Sequence, residues 1–254
     1  MKHVRTIFAL AASAVLVGSA LALAVQPPAE PGQHPRTFEK QIVVKLNYLL
    51  FLPEDYTKEQ DKKWPLMLFL HGAGERGSDI NKVKVHGPPK IVEGKKDFPF
   101  IVVSPQCPDG SWWDPQQLIS LLDEIQANYR VDTDRIYVTG LSMGGFGTWD
   151  LAQRYADRFA AIAPICGAGN PAAVRRMGKL PAWIFHGDKD PTVAVENSDQ
   201  MYEAMKKAGI EVKYTRYEGV GHDSWTATYN NPELYTWLLA HKRSDRPARA
   251  DGRR

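Results

Sequence analysis

From about residue 40 onward, short apolar runs of strand length alternate with segments whose apolar residues recur at helical spacing. Gln41 to Leu52 carries β-branched residues and is expected to supply the first strands. Leu66-Met67-Leu68-Phe69-Leu70 is uninterrupted and apolar, and Phe100-Ile101-Val102-Val103 repeats the signature before Ser104-Pro105. Continuous runs of this kind fit strands covered on both faces. Further strands are expected over Arg135 to Val138, Phe159 to Ile165, Ala182 to Phe185 and Val212 to Tyr217. Pro115 to Tyr129 reads as a helix through Leu118, Leu121, Leu122 and Ile125. Gly144 to Tyr155, Glu196 to Ala208 (with Met201 and Met205 four apart) and Pro232 to His241 read the same way. Strands alternating with helices predict an α/β fold: a mostly parallel sheet with right-handed crossovers and helices on both faces. Ligands in such folds bind at the carboxyl ends of the strands. The stretch from Ile165 to Leu180 leaves room for only a small helix around Ala172 to Met177. No large cap domain is therefore predicted, and the cleft is expected to lack an interfacial lid.

Composition narrows this without changing it. The 254 residues are 43% hydrophobic and 24% charged, near globular averages, which excludes wholesale disorder, collagen-like repeats and coiled coil. Two cysteines cannot staple a small scaffold; Cys107 and Cys166 follow different strands and are expected as free thiols. The formal charge of +3 is unevenly spread. Lys2 and Arg5 contribute two positive charges and residues 241–254 a net four, which leaves −3 for the body. That balance argues against a nucleic-acid-binding body. Residues 1–24 read as a secretory signal peptide, with Lys2 and Arg5 ahead of an uncharged run that ends in Ala22-Leu23-Ala24. The alternative is an uncleaved membrane anchor, since about twenty uncharged residues just span a bilayer. After cleavage no stable membrane insertion is expected, and the protein would be secreted or periplasmic. Residues 25–36 are Pro-rich and read as a linker, 37–242 as the folded domain, and 243–254 as a basic disordered tail.

Chemistry concentrates in the loops at the predicted strand ends. After Val138 comes Gly140-Leu141-Ser142-Met143-Gly144-Gly145, a Gly-x-Ser-x-Gly pattern on a strand-to-helix turn. Such a turn projects a serine hydroxyl and leaves no room for flanking side chains. A serine nucleophile needs a base, and the base needs a third group to hold its tautomer. In chains of this order the acid and then the histidine follow the serine. His222, in the Gly-rich loop Glu218-Gly219-Val220-Gly221-His222-Asp223, is the expected base; His241 reads as a solvated surface residue. In His186-Gly187-Asp188-Lys189-Asp190-Pro191 both Asp188 and Asp190 are available as the acid. Asp190 is favoured, and Asp188 reads as a turn carboxylate bound to nearby amides. The oxyanion is expected to meet the Met143 amide and the Ala73 amide in His71-Gly72-Ala73-Gly74-Glu75-Arg76-Gly77. The His71 ring is expected to bind loop backbone. Trp112, Trp113 and Trp225 fall in loops near the predicted cleft, where they either pack the loops down or contact substrate. If they line the cleft, an aromatic acyl group such as a hydroxycinnamate suits it.

Taken together, the His71-Gly-Ala-Gly-Glu-Arg-Gly, Gly-Leu-Ser142-Met-Gly-Gly, His-Gly-Asp-Lys-Asp190-Pro and Gly-His222-Asp segments resemble the α/β-hydrolase superfamily over roughly Val43 to Lys242. The chain is most similar to the bacterial phospholipase/carboxylesterase group and its relatives, the dienelactone hydrolases, feruloyl esterases and polyhydroxybutyrate depolymerases. Cys107-Pro-Asp-Gly-Ser-Trp112-Trp113 and Asn231-Pro-Glu-Leu-Tyr-Thr-Trp-Leu-Leu fit that group as well. The resemblance implies a triad of Ser142, Asp190 and His222, with no metal and no organic cofactor. Dienelactone hydrolases proper commonly use a cysteine nucleophile, so Ser142 is a departure that favours esters generally. The expected activity is that of a secreted serine carboxylic-ester hydrolase working through an acyl-enzyme on small or polymer-derived esters. A prolyl-oligopeptidase-type serine peptidase and a non-catalytic binding protein on the same scaffold are the alternatives.

Overall fold

Among the described residues, seven strands and six α-helices follow one another as β1 (Tyr48–Phe51), β2 (Trp64–Leu70), α1 (Gly87–Gly94), β3 (Ile101–Pro105), α2 (Pro115–Asn128), β4 (Val131–Leu141), α3 (Met143–Tyr155), β5 (Ala161–Ile165), β6 (Ala182–Gly187), α4 (Glu196–Lys207), β7 (Val212–Tyr217), α5 (Trp225–Asn230) and α6 (Pro232–Leu239). This computed structural model describes Gln33, Pro35, residues 37–40 and residues 43–247. The predicted export signal lies outside the described residues, as does most of the predicted linker. Residues 43–247 belong to one compact unit. Among the described residues no helix is long and apolar enough to cross a membrane.

The strands form one sheet in the order β1-β3-β2-β4-β5-β6-β7, with β1 antiparallel at one edge and every other pairing parallel. The continuous apolar runs have a direct cause. Leu66, Leu68 and Leu70 of β2 face one core, and Met67 and Phe69 face the other. On the first face the sheet buries Leu118, Leu122 and Ile125 of α2, Trp149 of α3, and Met201 and Met205 of α4. On the second it buries Val92 of α1, Tyr229 of α5, and Leu234 and Leu238 of α6. Each strand must supply apolar side chains at odd and even positions, so alternation disappears.

After β2 the chain moves outward to β3, then returns past β2 to β4 and continues the other way through β5, β6 and β7. The direction reverses between β2 and β4, so the loops leaving these two neighbours part and open a crevice at their carboxyl ends. Between β5 and β6 a 3-10 helix over Pro171–Met177 occupies the predicted small-helix position, and among the described residues no large cap domain stands over the sheet.

Several boundaries differ from the sequence reading. The first strand is limited to Tyr48–Phe51, and β4 begins at Val131 rather than Arg135. The sequence pattern does not predict helices α1 and α5, and Trp225 opens α5 instead of lying in a loop. The last helix ends at Leu239, and His241 beyond it binds Trp237 O at 2.7 Å and Glu211 Oε1 at 2.9 Å. His241 is therefore held rather than freely solvated. The start of the expected disordered tail is also held. Arg243–Asp245 is a 3-10 turn, the Ser244 amide donates to Asp134 at 2.8 Å, and Arg246 donates to Phe159 O at 2.6 Å. The guanidinium and amide groups satisfy carbonyls and a carboxylate that the ends of β4 and of the α3–β5 connection leave open.

Candidate active site

Ser142 sits between the last residue of β4 and the first of α3 with φ 51° and ψ −118°, outside the regions that L-residues ordinarily occupy. A backbone in such a region costs about 1–3 kcal/mol and persists where the surroundings fix it. Here the Ser142 amide donates to Ile165 O at 3.0 Å, and its carbonyl accepts from Phe146 N at 3.1 Å to begin the helix. The turn is tight enough that a Cβ on Gly144 would lie 1.9 Å from Leu70 O. No side chain fits there, which is the physical reason for glycine two residues after the serine.

The loops after β6 and β7 deliver Asp190 and His222 to the serine. His222 Nδ1 lies 2.7 Å from Asp190 Oδ2, and its Nε2 lies 3.0 Å from Ser142 Oγ. An ionised carboxylate only accepts, so Nδ1 donates to it and Nε2 is left to accept the serine hydroxyl. The Asp190 side chain is fully covered, whereas that of His222 is 21% exposed. Burial opposes ionisation of Asp190, but donors from His222, Val193 and Thr192 outweigh it and lower its pKa below the ordinary value. The two amides reach Oδ1 at 3.0 and 2.8 Å. Asp188 instead accepts the Gly219 amide at 2.7 Å and ties the two loops together. Their approach is close: a Cβ on Gly187 would meet the Val220 and Gly221 carbonyls at 2.3 Å.

On the other side of the serine, the loop after β2 passes so near that the Cβ position of Gly72 is 3.7 Å from Ser142 Cβ. Ala73 opens a 3-10 turn and Met143 opens α3, and amides in a first helical turn have no intrahelical acceptor. Both are therefore free to donate to a ligand. The loop is pinned by His71, whose Nδ1 lies 2.6 Å from Gly72 O while its Nε2 accepts the Cys107 amide at 3.0 Å. Burial lowers the His71 pKa to about 4 and keeps the ring neutral.

The three tryptophans occupy different settings. Trp113 is 8% exposed, donates its indole N–H to His71 O at 3.2 Å and meets the His71 ring edge-on at 4.8 Å. Trp112 is 64% exposed and packs edge-on against Phe146. Both border an open cavity of about 330 Å³ that Phe146, Asp150, Gln153 and Asn170 also line. Trp225 stands perpendicular to the His222 ring, with centroids 5.2 Å apart, and also packs against the His86 ring at 5.4 Å.

Residues not singled out from the sequence also reach this site. Phe146, on α3 four residues after Ser142, could have been found from that spacing. Cys166, at the end of β5, has φ 39°, and its sulfur lies within 4.8 Å of the Asp190 and His222 donor atoms. These three form the one group of potential metal donors so placed among the described residues, and the carboxylate and imidazole are already bonded to each other. Burial pushes the Cys166 thiol up to about 12, so it stays protonated. Cys107 and Cys166 are both buried and free, with β2 and β4 between the strands they follow. His186, in the motif that supplies Asp190, is completely buried and touches that carboxylate.

The chain is 27% identical over 187 residues to a bifunctional acetylxylan esterase/xylanase of Neocallimastix patriciarum, covering 68% of this chain and 26% of that protein. It is 24% identical over 193 residues to a probable feruloyl esterase C of Aspergillus terreus, covering 74% and 71% respectively. The crystal structure of a thermostable esterase superposes with a TM-score of 0.69 at 36% identity, covering 78% of this chain and 59% of that one. This chain thus spans about a quarter to three quarters of the length of these relatives. The profile of the dienelactone hydrolase family matches residues 115–243, half of the chain and the part that contains Ser142, Asp190 and His222. On that match and the sheet that carries it, the chain belongs to the dienelactone hydrolase family of α/β-hydrolases.

Proposed function

We propose that this protein is a serine carboxylic-ester hydrolase that works through an acyl-enzyme on Ser142. The observation that carries the reading is the unbroken line from Asp190 through His222 to Ser142, at 2.7 and 3.0 Å, ending on the strained turn. In this mechanism Ser142 Oγ attacks the ester carbonyl carbon as its proton passes to His222 Nε2. The Met143 and Ala73 amides receive the negative charge that develops on the carbonyl oxygen. Asp190 holds the imidazole in the tautomer that accepts this proton and stabilises the imidazolium. His222 then protonates the departing alkoxide. Water, deprotonated by the same imidazole, hydrolyses the acyl-serine and restores the hydroxyl.

The substrate is a small or polymer-derived ester with a short or aromatic acyl group. The open aromatic wall of Trp112 and Phe146 supports that class, as do the esterase names among the relatives. The pattern of residues 1–24 supports export from the cytoplasm, which N-terminal sequencing of the mature protein tests. Fluorophosphonate labelling followed by peptide mapping tests the nucleophile: one adduct on Ser142 is expected, and a folded protein without it overturns the reading. A kcat/KM panel of acetyl, long-chain and hydroxycinnamoyl esters together with a proline-peptide amide tests the substrate class. Faster turnover of the amide than of every ester would favour the peptidase alternative.

A further inference from the structure

Asp190 is shared by two imidazoles. His222 Nδ1 approaches Oδ2 at 2.7 Å from the solvent side, and His186 Nε2 approaches the same oxygen at 3.2 Å from the interior. The protonation of His186 follows from its partners. Its Nε2 also lies 2.9 Å from the Val193 carbonyl, which can only accept, so Nε2 carries a proton. Its Nδ1 lies 2.7 Å from Ser198 Oγ on α4. The ring is completely buried, which favours its neutral form and lowers its pKa. With Nε2 protonated and the ring neutral, Nδ1 accepts the Ser198 hydroxyl, itself 1% exposed. The side chains thus form a line that runs from the interior to the surface: Ser198, His186, Asp190, His222, Ser142.

We propose that His186, locked by Ser198, is a positioning residue that aims the Asp190 carboxylate and limits how strongly it supports the proton held by His222. The inference rests on the triad reading above. The Nε2–H of His186, bonded to Val193 O, also places its positive hydrogen near Oδ2, which draws negative charge away from the His222 contact and makes the carboxylate a weaker partner for an imidazolium. The ring packs against the carboxylate from the buried interior, while the Thr192 and Val193 amides hold Oδ1. The other titratable groups facing the line are the Cys166 thiol at the end of β5, within 4.8 Å of Asp190 and His222, and Asp223 beside His222 in the loop after β7. Neither brings an N–H up to Asp190 as His186 does.

The test is the pH profile of kcat/KM for a neutral p-nitrophenyl ester. His186→Phe fills the space without a donor. It is expected to lower kcat about tenfold with KM nearly unchanged, and to move the acid limb of the profile up by roughly half a pH unit. His186→Gln places an amide N–H where Nε2 was and is expected to return both quantities to within about twofold of the parent. Ser198→Ala releases the ring without removing it and is expected to shift the limb in the same direction by less. It serves as the deciding variant if His186→Phe does not fold. Wild-type profiles in folded His186→Phe and Ser198→Ala overturn the proposal. So does equal damage in His186→Phe and His186→Gln, because the ring would then be packing alone. Failure of the triad reading is distinguishable, since it removes ester turnover and fluorophosphonate labelling from the parent protein itself.

Discussion

Two histidines flank Ser142, and they have opposite kinds of partners. His71, in the loop after β2, bonds through both ring nitrogens to backbone, accepting one amide and facing one carbonyl, and is 1% exposed. His222, in the loop after β7, bonds through both nitrogens to side chains, one of them a carboxylate, and is partly exposed. Backbone partners pin a loop and leave an imidazole no proton to exchange. A carboxylate on one side and a hydroxyl on the other give it a proton to take and a charge to lean on. The residue type is the same; the partner type separates scaffold from chemistry. The largest expected effect breaks the line at its reactive end. Ser142→Ala and His222→Ala should each lower kcat/KM for p-nitrophenyl acetate by at least about 10⁴-fold, measured at pH 8. His71→Asn, which can still bridge backbone groups, should lower it by less than about tenfold. Comparable losses at His71 and His222 would erase the distinction.

The same contrast separates two aspartates two residues apart. Asp190 faces His222, whereas Asp188 faces the Gly219 amide. Asp190→Asn leaves the shape but presents an amide where the imidazole needs an acceptor, so a fall in kcat of roughly 10³–10⁴-fold is expected. Asp188→Asn retains an oxygen for the Gly219 amide and should cost less than about tenfold. Steady-state kinetics on the two purified variants decide between them, and a larger loss at Asp188 would reassign the acid.

Most of this was legible in the chain, for a physical reason: buried parallel strands and glycine-bound turns leave strong local marks. Leu66 to Leu70 must be apolar at every position because both faces are covered, and Ser142 is marked by a glycine that sterics demand. What escaped was set by distant partners or by atypical local chemistry. Helix α1 begins Gly87-Pro88-Pro89, which reads as a break, although proline is tolerated in a first turn where its missing N–H is not needed. Helix α5 has six residues, too few to show a period. The first residues of β4, Val131-Asp132-Thr133-Asp134, look like a loop until Ser244 is seen binding Asp134 from 110 positions away. His186 has the same character: its role depends on Ser198 and Val193, neither of which the motif around Asp190 announces.

The His71 setting carries a stability signature of its own. With its pKa lowered to about 4 in the folded protein against about 6.5 in the unfolded chain, His71 binds a proton only on unfolding between those values. Its contribution is therefore fully present above pH 6.5 and is lost as pH falls towards 4. By linkage the loss approaches about 3 kcal/mol. Urea unfolding at pH 7 and at pH 4.5 should show a drop in wild type that His71→Asn lacks by about 2–3 kcal/mol. Equal drops in the two proteins would mean that the buried ring is protonated in the folded state.

The smallest expected effect concerns the neighbouring tryptophans, where the same division between pinning and binding recurs. Trp113 is bonded to His71 O and buried, so it belongs with the pinned loop. Trp113→Phe removes one hydrogen bond and leaves a buried carbonyl short of a donor, which should cost about 1–2 kcal/mol of stability. Trp112 presents an exposed ring against Phe146 beside the cavity. Removing it exposes little core, so Trp112→Ala should leave the urea midpoint almost unchanged. Its effect should instead fall on KM, rising about three- to fivefold for hydroxycinnamoyl esters and hardly at all for acetate, in line with about 0.5–1.5 kcal/mol for an aromatic contact. If both variants lose stability and neither changes acyl preference, the aromatic wall is packing throughout, and acyl selectivity must be set elsewhere along the cleft.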